Sequence, residues 1–104
     1  MEFMTVASVT VAKLKPNVSV DEARQVWDKN MIPSIKGEKG FMGGFLLISE
    51  DKKDAIALVL YATRTDAETV QKSGLYRKQV AKFAAFIESV SERKVYDVNS
   101  EITI

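Results

Sequence analysis

Six side chains are the candidates for chemistry: Trp27, Asn30, Tyr61, Tyr76, Arg77 and Gln79. Trp27 falls on the inward side of a helical pattern, where it serves as core or as a flat wall for an aromatic ligand. Asn30 falls in the arc set by Val26, Trp27 and Met31. A polar amide there either reaches solvent at a helix end or needs a partner, since burying it unpaired is costly. Gln79 interrupts an apolar side in the same way. Tyr61 and Tyr76 offer phenol donors or an ordinary core with the hydroxyl at its rim. Arg77, like Arg64, sits at an element edge and could hold an anionic or enolate oxygen; surface pairing of Arg64 or Arg77 with Asp66 or Glu68 is the commoner outcome. Met31, Phe41 and Met42 suit an adaptable apolar lining, or simply core.

What is missing narrows the chemistry further. The 104 residues include no histidine and no cysteine. The usual general base, metal ligand and haem-iron ligand are therefore absent, as are thiolate nucleophiles and thiolate metal sites. No metal or organic cofactor is expected. Fifteen basic residues offset fourteen acidic ones and are scattered, so no stripe tracks a nucleic-acid backbone. No run approaches the roughly 20 apolar residues that span a bilayer, and "MEFMT" has neither a basic leader nor an apolar core. The expectation is a cytoplasmic protein with a single domain over 4–104. Residues 1–3 read as a cloning remnant, because Glu-Phe is what a common cloning site encodes.

These candidates must be positioned by elements that the pattern supplies. "MTVASVTVAKLK" (4–15) is rich in β-branched residues and predicts a strand. Ser19 and Glu22 form a capping box for a helix whose side Val20, Ala23, Val26, Trp27 and Met31 is apolar. Pro33 should end that helix near Ile32. "KGFMGGFLLISE" (39–50) resembles a phosphate loop at first sight, but no helix start follows its glycines. They sit in or before a second strand, where they mark a bulge or a close approach. "EDKKD" is a charged hairpin loop and "AIALVLYAT" a third strand. "TDAE" (65–68) caps a short helix that Gly74 can end. "LYRKQVAKFAAFIESV" (75–90) predicts a longer helix, "KVYDV" (94–98) a fourth strand, and the alternating tail (100–104) can pair with a sheet edge.

The order β-α-β-β-α-β is the α+β ferredoxin-like arrangement, a four-stranded antiparallel sheet with two helices on one face. An uncovered face should alternate to polar. Here Phe45 and Leu47 point one way while Leu46 and Ile48 point the other, and the third strand is apolar on both sides too. Something must cover the second face, and a two-fold-related copy is the simplest occupant. A homodimer is expected.

With this element order, the Gly-Phe entry of "KGFMGGFLL" and the stretch "LVLYATRTDAETVQKSGLYRKQVAKF", the chain resembles the dimeric α/β-barrel superfamily, most nearly the antibiotic biosynthesis monooxygenase-like domains, over 4–98. The resemblance implies two sheets joined as a barrel across a dimer, with a pocket between helices and sheet in each subunit. It also implies activities such as cofactor-free oxygenation of quinol or anthrone-like aromatics, or haem degradation. The haem-degrading branch uses an asparagine, a tryptophan and a histidine ligand. Trp27 could match the tryptophan, but the histidine is missing, which argues against that route.

Cofactor-free oxygenation needs a base or a substrate that ionises by itself. No carboxylate lies within an apolar stripe; Asp97, between Tyr96 and Val98, comes nearest. An RNA-recognition strand begins like Lys39-Gly40-Phe41 but departs at Met42, and no basic frame surrounds it. Two readings remain. One is a protein that acts on or binds a small hydrophobic aromatic, quinol-like molecule in a pocket lined by Trp27, Asn30, Tyr61, Tyr76 and Gln79, with Arg77 toward an oxyanion. The other is a non-catalytic dimeric binding or stress-related module. A cavity of about 300 Å³ or more with convergent polar groups would favour the first, and a filled helix–sheet interface the second.

Overall fold

The computed structural model describes residues 5–100, so residues 1–4 and nearly all of the alternating tail lie outside the description. Five strands form one antiparallel sheet: β1 (Val6–Leu14), β2 (Phe41–Ile48), β3 (Asp54–Tyr61), β4 (Ile87–Val90) and β5 (Lys94–Asp97). β3 lies between β2 and β1, and the far edge of β1 is shared by β4 and β5. The helical elements are α1 (Val20–Val26), a π turn (Trp27–Met31), α2 (Ile32–Lys36), α3 (Arg64–Lys72) and α4 (Leu75–Ala81). They pack on the sheet face that carries Val6, Ser8, Thr10, Val59 and Tyr61, and the core sits between the two layers.

The sheet has one strand more than the sequence pattern suggests, and the long final helix is the reason. It stops at Ala81, runs through tight turns with Phe83 N–H on Val80 C=O and Phe86 N–H on Phe83 C=O, and re-emerges as β4. Helical periodicity through Val90 is overridden by pairing. β5 covers only Val6 to Val9 of β1, which would leave that edge of β1 unpaired from Ala12 to Leu14. Ile87 to Val90 supply that pairing. Lys15 N–H on Phe86 C=O and Ser91 N–H on Val11 C=O close its two ends.

The first helix also departs from expectation, since it passes Pro33 and continues to Lys36. Ile32 N–H reaches back to Trp27 C=O, an i→i+5 bond. This widened turn admits the proline ring, which then sits in the first turn of α2, where its missing N–H is tolerated. Ser19 caps α1 as expected, its hydroxyl accepting from Glu22 N–H at 3.2 Å. The cap of α3 is displaced by two residues. Thr63, not Thr65, has the extended backbone of an N-cap, and its hydroxyl accepts from Asp66 N–H at 3.1 Å.

The glycine-rich segment is a bulged strand entry. Phe41 pairs with Tyr61 and Gly43 with Leu60, so Met42 is the extra residue. Gly43 has φ of 152°, a conformation that side chains rarely adopt.

Candidate functional site

Between the helices and the sheet lies a cavity of about 90 Å³. Its lining is set by two periodicities. Along β1, alternate residues Ser8, Thr10, Ala12 and Leu14 face it, as do Ala57, Val59 and Tyr61 on β3. Along the first helical segment, Ala23, Trp27, Met31 and Ile35 line it at a strict spacing of four. An α-helix drifts about 40° for every four residues, and the π turn takes up that drift. All four therefore stay buried, Trp27 at 7% exposure. From the other side Tyr76, Gln79, Val80 and Phe83 reach in.

Of the six expected residues, the fold brings Trp27, Tyr61, Tyr76 and Gln79 to this cavity. Asn30 and Arg77 are exposed and do not line it. Asn30 lies on the outer side of the π turn, where its C=O accepts from the Ser34 hydroxyl at 3.1 Å. Arg77 lines a separate open groove instead. Arg64 pairs with neither Asp66 nor Glu68. It bonds Asp97 at 2.6 Å, which takes that carboxylate into an exposed ion pair and away from any role as a buried base.

The cavity wall is apolar with few polar groups. Gln79 is 6% exposed, and its Nε2 is buried without a hydrogen-bond partner among the described residues. Thr10 Oγ1 lies 3.5 Å from Tyr76 Oη, a long contact. Burial pushes the Tyr61 phenol above its ordinary pKa, against the pull of the nearby Arg93 charge, so it is a neutral donor at neutral pH and not a ready base. No carboxylate is among the lining residues, and no cluster of acidic side chains suited to a metal ion occurs among the described residues.

Arg93 is the residue that the sequence pattern does not single out. It lies just before β5, half-buried, with its guanidinium carbon 6.0 Å from the Tyr61 ring centre and 5.8 Å from that of Tyr76. An arginine one residue from a short strand looks like an edge charge, and only the fold shows that it faces two tyrosines.

No family model matches the chain, and no curated protein matches it. Solved structures do. SnoaB, a cofactor-independent oxygenase from Streptomyces nogalater, superposes with a TM-score of 0.74 at 11% identity, covering 95% of this chain and 97% of that one. An antibiotic biosynthesis monooxygenase-like protein from Nitrosomonas europaea gives 0.70 at 19% identity, over 95% and 94%. Rv0793 from Mycobacterium tuberculosis gives 0.65 at 18%, over 95% and 97%. The chain has the ferredoxin-like fold of antibiotic biosynthesis monooxygenase-like proteins. At such identities the likeness concerns the fold and leaves the reaction open. No helix of the described residues is long and apolar enough to cross a membrane.

Proposed function

We propose that this chain binds a small, one-ring, quinol-like aromatic molecule in the helix–sheet cavity and that it works as a homodimer. The observation that carries the reading is Gln79. Gln79 lines the apolar cavity together with Trp27 and Tyr61, and its buried amide nitrogen is a donor without an acceptor, which a ligand oxygen would supply after a small shift of the wall. The cavity is well below the 300 Å³ that would favour a roomy active site. Apolar cavities on the order of 150 Å³ take benzene, so a single ring enters this smaller space only with a shift of the wall or with part of its bulk at the mouth. Three-ring anthrones do not fit.

Size and lining favour binding over oxygenation. The described wall carries no carboxylate, and the chain has no histidine, so these residues supply no such base to raise electron density on a substrate. The fold shared with a cofactor-independent oxygenase supports an oxygenase reading only for substrates that ionise by themselves.

Trp27 is the sole tryptophan of the chain and lines the cavity, so it reports on occupancy. Phenol and hydroquinone are expected to quench its fluorescence saturably, and anthrone is not. Oxygen uptake with hydroquinone should appear only as the pH approaches the phenol's own pKa, about 10. A panel of one-ring phenols that leaves the emission unchanged would end this reading.

A further inference from the structure

Arg93 stands in the wall between two spaces. With Tyr76 and Val90 it lines both the inner cavity and the outer groove formed by Gln71, Lys72, Gly74, Arg77, Ser91 and Glu92. Its guanidinium is held in place: Nη1 donates to Gln71 Oε1 at 3.1 Å and Nη2 to the Ala67 carbonyl at 3.0 Å. Of its five donors these take two, and the Tyr61 phenol oxygen draws on a third, which leaves two N–H groups. The two ion pairs among the described residues are Lys13 with Asp54 and Arg64 with Asp97, so no carboxylate of the described residues lies within 4.0 Å of Arg93. Glu92 is its neighbour in the chain and does not pair with it. A half-buried, fixed cation without a counter-charge among the described residues is solvated only from the groove, and an anion arriving there gains a pre-placed partner. The tyrosine faces replace a counter-charge only in part.

We propose that Arg93 is the counter-ion for a carboxylate carried by the ligand, so that the preferred ligand is a one-ring aryl carboxylate. Its ring occupies the inner cavity against Trp27, and its carboxylate accepts from the free N–H groups of Arg93 at the mouth. The planar fork of a guanidinium suits two carboxylate oxygens at once. Lys72 and Arg77 on the groove, offset in part by Glu92, leave it net positive. This inference rests on the reading that the cavity binds a ring, and it adds the charge of the substituent.

The experiment compares benzoate with its neutral isostere benzamide, by Trp27 fluorescence and by calorimetry, on the full chain. Wild-type protein is expected to bind benzoate at least about tenfold more tightly than benzamide, the scale of a charge-assisted hydrogen bond. Arg93→Gln should erase that preference by weakening benzoate at least about tenfold more than benzamide, and circular dichroism reports whether the variant is folded. Arg93→Lys should keep the charge but only part of the preference; it decides the matter if Arg93→Gln does not fold. Equal binding of the two probes by wild-type protein overturns the role of Arg93 and leaves the cavity reading standing. So does an equal loss of both in the folded Arg93→Gln variant. Binding of neither probe by wild-type protein overturns the aryl-carboxylate inference, and the phenol titration then decides the cavity reading by itself.

Discussion

Gln79 is where stability and binding pull against each other. Its amide nitrogen is buried and unpaired among the described residues, and an unsatisfied buried donor costs roughly 1–3 kcal/mol. Methionine has nearly the same length and no donor to leave unpaired. Gln79→Met is therefore expected to raise the stability of the ligand-free protein by about 1 kcal/mol, or ~4–8 °C in melting temperature for a domain of this size. It should also weaken binding of hydroquinone, whose oxygen loses its donor. Scanning calorimetry with and without the ligand measures both effects. A lower melting temperature for the ligand-free variant would mean that the nitrogen is satisfied in solution. At this scale the sequence was half legible. Trp27, Tyr61, Tyr76 and Gln79 stand out because an aromatic or an amide on an apolar side of a periodic segment is visible without coordinates. Asn30 stood out by the same rule and faces solvent, because the π turn rotates the helix by the residue that a uniform helical wheel omits. Arg93 was illegible. Its role depends on β5 meeting β1 beside α3, a contact between segments far apart in the chain.

Elements were legible where local chemistry decides them and illegible where pairing does. The bulged entry of β2 could be read from its glycines, and Ser19 from its box. The fourth strand could not, because Ile87 to Val90 satisfy a helical period and become a strand only through the stretch of β1's edge that β5 does not cover. One junction can be tested directly. Gly40 sits at the entry to β2 with φ of 79°, and its C=O accepts from Ala62 N–H at 2.8 Å, which ties that entry to the end of β3. A Cβ added there would collide with the Asp66 side chain, the residue whose N–H is held by the Thr63 cap. Gly40→Ala should then cost about 1–3 kcal/mol, through its left-handed backbone and the shifted start of α3. Gly37 has φ of -83° and open space around it. There the same substitution should be neutral or stabilise by about 0.4–1 kcal/mol, by restricting the unfolded chain. Urea denaturation of the two variants, side by side, compares them. Equal effects would mean that the Gly40 turn is free to rearrange.

For the whole molecule the open question is the second sheet face. Phe45 is 54% exposed and Leu47 44%, with Val11 and Tyr96 also on the surface of the same sheet. Helices cover the opposite side only, so this face keeps its apolar residues in water unless another surface meets it. A second copy is the occupant that needs no further partner, and two-fold symmetry presents the same residues to themselves. Wild-type protein is expected to sediment as a dimer at micromolar concentration. Phe45→Glu combined with Leu47→Glu should give a monomer, since each copy would bring like charges into a desolvated patch. Both side chains point away from the cavity, which β2 lines with Leu46 and Ile48 instead. The monomeric variant should therefore still show saturable Trp27 quenching by hydroquinone, with an affinity within about threefold of wild type. Loss of quenching on dissociation would mean that the copies hold each other's cavities in shape. A wild-type protein that sediments as one subunit would leave that apolar face without a partner of its own kind.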